Sequence, residues 1–580
     1  MADTNASDPV TATAVGDSPG GDDGTMEAPT TPGGIARQLG PGLIIAASIV
    51  GSGELIATTK TGAQAGIALL WLIIVGCLIK VFVQIEFGRY SIGNGETTLS
   101  ALNRVPGPRL IVNWIVWYWL IMMCVGFGQL GGIVGGVGQA LAMAVPIEGD
   151  YVSAVRIPAE TELKRYIAWS DDAASGGSAL AGLSDEQRGR VERSQQVVSD
   201  RLAKLDTFET GKSDEIVALV RTLIEAEGAE DSGAVKGAKT AVNSVLKPTT
   251  KDDKYWAVAV TLMTIILLVR GRYSMLQNVS TVLVVGFTIV TIGNVISLQL
   301  KPEFALTASE FIGGLFPGLP EAGVAPPGLT GWKISRPVAT ALATFGIIGV
   351  GASELIGYPY WCLEKGYAKY TGQGKRDDAW YVRANGWIRV MKYDAYFSMI
   401  IYTVATLAFF VMGVAVMYRQ GLDPEGMRMV STLAEQYVPV FGEYAKWLFL
   451  IGAIAVLYST YLVANAMFAR VYTDAFKVYG LMKPGNPTTH DRSVMILSAI
   501  FPLISMSIFC LGFNPVTLVL LGGFMQAVML PMLGVAALYF RFKLTDERLK
   551  PGKFWDACLI LSAIGMLISG AWGVYSKLLS

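Results

Sequence analysis

Long apolar runs separated by short polar connections set the pattern of this chain. A helix that spans a bilayer needs roughly 20 mostly apolar residues. By that measure the sequence predicts eleven spans, near 41–59, 63–87, 111–143, 255–270, 276–299, 338–361, 394–417, 445–468, 494–512, 515–540 and 555–576. The third is long enough for a tilted helix with a lip, and the fourth is short. Two stretches break the pattern. Residues 1–34 are rich in Thr, Gly, Pro, Ala and Asp and carry no basic residue. Without a basic start and an apolar core they do not read as a signal peptide, and a disordered cytoplasmic tail is expected. Residues 147–254 are charged and apolar-poor, with helix starts at Ser184 followed by Gln187 and at Ser213-Asp-Glu before IVALVRTLI. The expected division is the tail over 1–34, spans one to three over 35–146, an extracytoplasmic helical insertion over 147–254 and spans four to eleven over 255–580. The insertion reads first as a shield over the outer face.

Lys and Arg in the connections set the orientation. One set of connections holds Arg89, Arg104, Arg109, Arg270, Arg272, the cluster from Lys365 to Lys392, and Arg541 to Lys553; the opposite set is much poorer in bases. This predicts a cytoplasmic N-terminus and an outer C-terminus, in an integral membrane protein expected in a bacterial inner membrane. Composition agrees: 52% of residues are hydrophobic, only 16% charged, and 65 are glycine. The zero net charge gives no reason to expect nucleic acid. The five cysteines lie in or beside apolar runs without CxxC spacing, and His490 is the only histidine. A zinc knuckle, a disulfide framework and a His-based triad therefore lack material, no enzyme is expected, and no cofactor is implied.

The hexapeptide GSGELI at 51–56 returns as GASELI at 351–356. The two copies lie in spans one and six, which cross the bilayer in opposite senses. That is the signature of an inverted repeat of two five-helix halves, with span eleven appended. Gly51, Ser52 and Gly53, like Gly349, Gly351 and Ser353, make a poor helix interior, and Gly357 and Pro359 add a second weakness. Both helices are predicted to be discontinuous, which is tolerated in lipid only where backbone lines a cavity or is buried in protein. A charge at mid-membrane costs at least ~2.5 kcal/mol, so Glu54 and Glu354 need a partner, a proton or a role. Two facing carboxylates repel, and a dication or protons would relieve them. The plainer alternative has each glutamate capping the half-helix that follows it.

The stretch GPGLIIAASIVGSGELIATTKTGAQAGIALLW at 40–71 resembles, without a gap, the first helix and start of the second in the Nramp divalent-metal transporters. Looser likenesses are GIIG at 346–349, KYDAYFSMI at 392–400 and GGFMQAVMLP at 522–531. The resemblance implies an all-α polytopic membrane protein with a LeuT-like five-plus-five inverted repeat and an eleventh helix. It also implies secondary transport of a divalent cation by alternating access, possible coupling to protons, and the lipid bilayer as the other partner. The chain departs from the family at its metal ligands. The Asp-Pro-Gly-Asn break reads Gly51-Ser52-Gly53-Glu54, and the Met-Pro-His of helix six reads Ser353-Glu354-Leu355. What remains is oxygen: Glu54 and Glu354 as metal ligands, Ser52 and Ser353, the backbone near Gly51 and Val350, and Gln526 through water. Such ligands suit a hard ion such as Mg²⁺, with Mn²⁺ within reach.

Other residues allow two readings each. Lys80 and Glu86 read as snorkelling side chains or a structural ion pair, or else as an inner gate. Asp394 reads as an acid opening span seven. Tyr358, Tyr360 and Trp361 read as interface aromatics or as a stacking wall for an organic substrate. That wall sustains the alternative function, a LeuT-fold transporter of an amino acid or amine. The run GGIVGGVG at 131–138 reads as close helix packing.

Overall fold

The computed structural model describes residues 24–247, 251–270, 273–321, 323–329, 332, 337–372, 376–483 and 487–578. Each predicted span is a helix there. Span one is Pro41–Ile49, a wider π turn over Ser52–Thr58, and Thr59–Ala65; span two is Leu70–Leu78 and Lys80–Asn94. Spans three, four and five are Trp114–Ala144, Asp252–Arg270 and Tyr273–Gln299. Span six is Pro337–Ile347 and Ala352–Lys365, span seven Asp378–Met412 and span eight Ala445–Val478. Spans nine, ten and eleven are Pro487–Cys510, Pro515–Tyr539 and Lys553–Leu578. Among the described residues, nine helical segments are long and apolar enough to cross a membrane; spans one and two count as one segment, and span four, Asp252–Arg270, is not among the nine. The only strands there are the two-residue pair Arg109–Leu110 and Val112–Asn113.

Lipid supplies no hydrophobic drive between spans, so close approach of small residues holds them together. The glycine run of span three shows this. A Cβ on Gly131 would lie 2.8 Å from the Ser505 carbonyl of span nine, and one on Gly132 would lie 2.5 Å from the Pro515 carbonyl of span ten. Gly346 of span six meets the Gly523 carbonyl of span ten just as closely.

The insertion folds on a core of its own, in which Leu163, Ile167, Val198, Leu202, Ile216, Val220 and Leu223 are buried. Each such side chain contributes about 1.5–3 kcal/mol by leaving water. Ser184 caps Asp185–Asp206 with Gln187 answering, as the spacing predicts. The next helix is capped at Gly211 and begins at Lys212, two residues earlier than a Ser213 cap would place it, and Ser213 instead turns its N–H and hydroxyl back to Asp206. Arg428, in the connection after span seven, donates to the carbonyls of Ala154, Ile157 and Leu246 and so pins the insertion down. Burial pulls its pKa down to about 10, which leaves it cationic at neutral pH.

Two expectations give way. Residues 24–34 are not a free tail. Trp387 donates to the Met26 carbonyl at 2.8 Å, the Met26 N–H reaches Tyr370, and Thr31 caps the helix Pro32–Gln38. Residues 1–23 lie outside the described residues. Asp394 does not open its helix, because Asp378–Met412 runs unbroken through it.

Candidate ion site

Spans one and six break at their first glycine clusters, whereas the helix Ala352–Lys365 runs unbroken through Gly357 and Pro359. After Ile49 the chain leaves the helix at Val50 and resumes at Ser52. A Cβ on Gly51 would strike the Thr460 hydroxyl of span eight, so only glycine fits that approach. In span six Gly349 adopts φ +56°, and a Cβ there would lie 2.9 Å from Cys77 Cα. Both causes favour glycine.

The two glutamates turn to different neighbours. Glu54 accepts from the Thr406 hydroxyl of span seven at 3.0 Å and, as a cap, from the Gly51 N–H at 3.4 Å. Glu354 accepts from Ser48 at 3.1 Å and from Ser353 at 2.8 Å. The donors to both are neutral. Glu54 is wholly buried, while Glu354, 9% exposed, reaches a small cavity of about 20 Å³ between spans one, three, six and eight. Ser48, Ser52, Gln129, Ser353 and Thr460 supply the rest of its polar wall. Gln526 stands behind it, accepting from the Ser353 N–H at 3.2 Å and donating to Gln129 at 2.9 Å.

Of the residues singled out from sequence, Ser52, Ser353 and Glu354 thus share one cavity and Gln526 braces it. Glu54, Gly51 and Val350 are buried at the breaks and do not line it. Among the described residues, no three His, Cys, Asp or Glu side chains gather as a metal cluster. Ser48, Gln129, Thr406 and Thr460 were missed. Ser48 lies one turn before Ser52, and Gln129 is an amide inside an apolar span, a signal that polar residues in membrane helices carry.

The flanking candidates also find partners. Asp394 accepts the N–H groups of Gly40 at 2.9 Å and Gly42 at 2.5 Å, capping span one rather than its own helix. Tyr358 donates to Asp394 at 3.0 Å and Tyr360 to Asp474 at 2.7 Å. Trp361 is buried under Arg470, 4.7 Å from its ring centre. These aromatics are neither an interface belt nor a wall of the cavity. Glu86 pairs with Arg89 at 3.1 Å, not with Lys80. Toward the insertion, Lys60 bonds Asp423 and Glu425, and Gln64 donates to Asp423 at 2.7 Å.

The sequence profile of the Nramp family, described as natural resistance-associated macrophage protein-like, matches residues 212–576. The chain belongs to the Nramp family. Membership, with the fold, makes it a transmembrane metal-ion transporter. Solved structures of the Eremococcus coleocola manganese transporter share that fold. A histidine-to-alanine mutant is 13% identical with a TM-score of 0.53, over 96% of this chain and 90% of that one. The complex with an aromatic bis-isothiourea substituted compound is 14% identical, with the same score and coverage. No curated protein matches the sequence. The Nramp profile starts inside the insertion, so spans one to three lie outside its match.

Proposed function

We propose that the chain moves a hard divalent cation, Mg²⁺ first and Mn²⁺ within reach, through the cavity at Glu354. One observation carries this reading: a single carboxylate faces a cavity whose other polar groups are hydroxyls and amides, between two broken half-helices. Mg²⁺ takes oxygen ligands and needs only one or two carboxylates among them, which suits such a wall. Neither a thioether nor an imidazole stands among those polar groups to favour softer metals. Glu54, one step behind the cavity, serves as second carboxylate when it leaves Thr406, and the pair carries any proton coupling. Spans one and six move by alternating access, with the N-terminus cytoplasmic and the C-terminus outside. The organic-substrate alternative relied on Tyr358 and Tyr360, whose hydroxyls are engaged by Asp394 and Asp474.

Uptake into proteoliposomes tests this across Mg²⁺, Mn²⁺, Ca²⁺, amino acids and amines at two pH values. The expected result is saturable Mg²⁺ uptake with competition by Mn²⁺. Uptake of an amino acid or amine with no divalent flux would overturn it.

A further inference from the structure

Lys80 is wholly buried in span two. Its ammonium donates to the carbonyl oxygens of Phe345 and, at 2.8 Å, Ile348, and lies 4.6 Å from the centre of the Phe345 ring. These carbonyls close the half-helix Pro337–Ile347, where the last turn of any helix has acceptors without donors and a partial negative charge. In a bilayer no water is available to satisfy them. The carboxylates nearest in kind to a partner for Lys80 are engaged elsewhere. Glu86 is held by Arg89 and Trp555, Glu54 by Thr406 and Gly51, and Glu354 by Ser48 and Ser353. The ammonium therefore rests on neutral carbonyl oxygens and a π face, donor groups of the kind that hold a desolvated monovalent cation. The approach is fixed as well, since Gly76 and Cys77 of span two pack directly beneath Gly349.

We propose that the end of the first half of span six is a monovalent-cation site that this chain fills with its own side chain, Lys80 standing where Na⁺ or K⁺ would otherwise bind. The wild-type protein then needs neither ion at that place. The proposal does not depend on which substrate the cavity takes.

The test is thermal unfolding of the purified full chain in NaCl, KCl or methylammonium chloride, against choline chloride at equal ionic strength. In Lys80→Ala the emptied site is expected to bind one of the three small cations, raising the unfolding temperature by several degrees in a saturable way; a cation that binds only the folded state stabilises by mass action. Wild type is expected to show no such rise. A Lys80→Ala chain indifferent to all three cations, or one that responds no more than wild type, overturns the proposal. Lys80→Met, which keeps the arm but not the charge, decides the matter if Lys80→Ala does not fold. Divalent uptake by Lys80→Met at the wild-type level in buffer free of Na⁺ and K⁺ would show that no cation is needed there; a loss of about tenfold or more is expected. Should wild type move no divalent ion, the transport reading fails while the unfolding series still decides this one.

Discussion

Asp394 and Gly42 lie 352 positions apart in sequence, and the Asp394 carboxylate accepts the Gly42 N–H at 2.5 Å. With Gly40 and the Tyr358 hydroxyl on the same carboxylate, one side chain of span seven holds the start of span one and the second half of span six together. A Cβ at Gly42 would fall on Asp394 itself, which explains the glycine after Pro41. Removing the carboxylate strips a helix cap worth about 0.5–2 kcal/mol and leaves buried N–H groups unpaired at about 1–3 kcal/mol each. Asp394→Ala is therefore expected to lower the unfolding temperature and abolish uptake. Asp394→Asn, which keeps one acceptor, is expected to fold and transport slowly. Thermal unfolding alongside uptake separates the two.

Glu354 reaches the cavity and Glu54 does not. Glu354→Gln is expected to weaken divalent-cation binding by at least about tenfold, the weight of a 1.4 kcal/mol interaction. Glu54→Gln is expected to preserve binding better but to slow turnover, and Thr406→Val to resemble it. Isothermal titration with Mg²⁺ and Mn²⁺, beside uptake rates, would contradict this ordering if Glu54→Gln lost binding first.

Thr460 occupies the space a side chain at Gly51 would need. Gly51→Ala is expected to abolish uptake, and Thr460→Ala in the same chain to restore part of it. Gly349→Ala has no such rescue, because its φ of +56° strains any side chain. Equal behaviour of the two alanine variants in the Thr460→Ala background would refute the steric account.

Lys60 is 4% exposed and ties the end of span one to Asp423 and Glu425. Lys60→Met is expected to loosen that end and raise the labelling rate of a cysteine at Gln64 by a membrane-impermeant thiol reagent severalfold. An unchanged rate would mean that the half-helix is held by its packing alone.

The spans and both breaks were legible because hydropathy and glycine act locally. Spans one and six share their letters, and the fold shares their geometry. Partners were legible only where they lie close in sequence. Ser184 with Gln187 is such a case, and Glu86 with Arg89 could have been read the same way, since positions three apart share a helix face and positions six apart do not. Asp394 with Gly40, Lys80 with Phe345 and Glu54 with Thr406 are separated by 354, 265 and 352 positions. No local pattern encodes such contacts. The aromatics after Gly357 were misread for a related reason. A tyrosine looks alike at an interface, in a binding wall or on a buried acid, and only the far-off Asp394 and Asp474 decide which.

The connection after span seven grips in two directions. Asp423 and Glu425 hold Lys60 of span one, while Gly421 and Arg428 hold Arg165 and the backbone of the insertion. Under the proposed movement of span one, the insertion is a handle fixed to the moving part. A binder that clamps it to its surroundings would then brake the carrier without touching the cavity, and one that pulls it away would strain the ion pairs of Lys60.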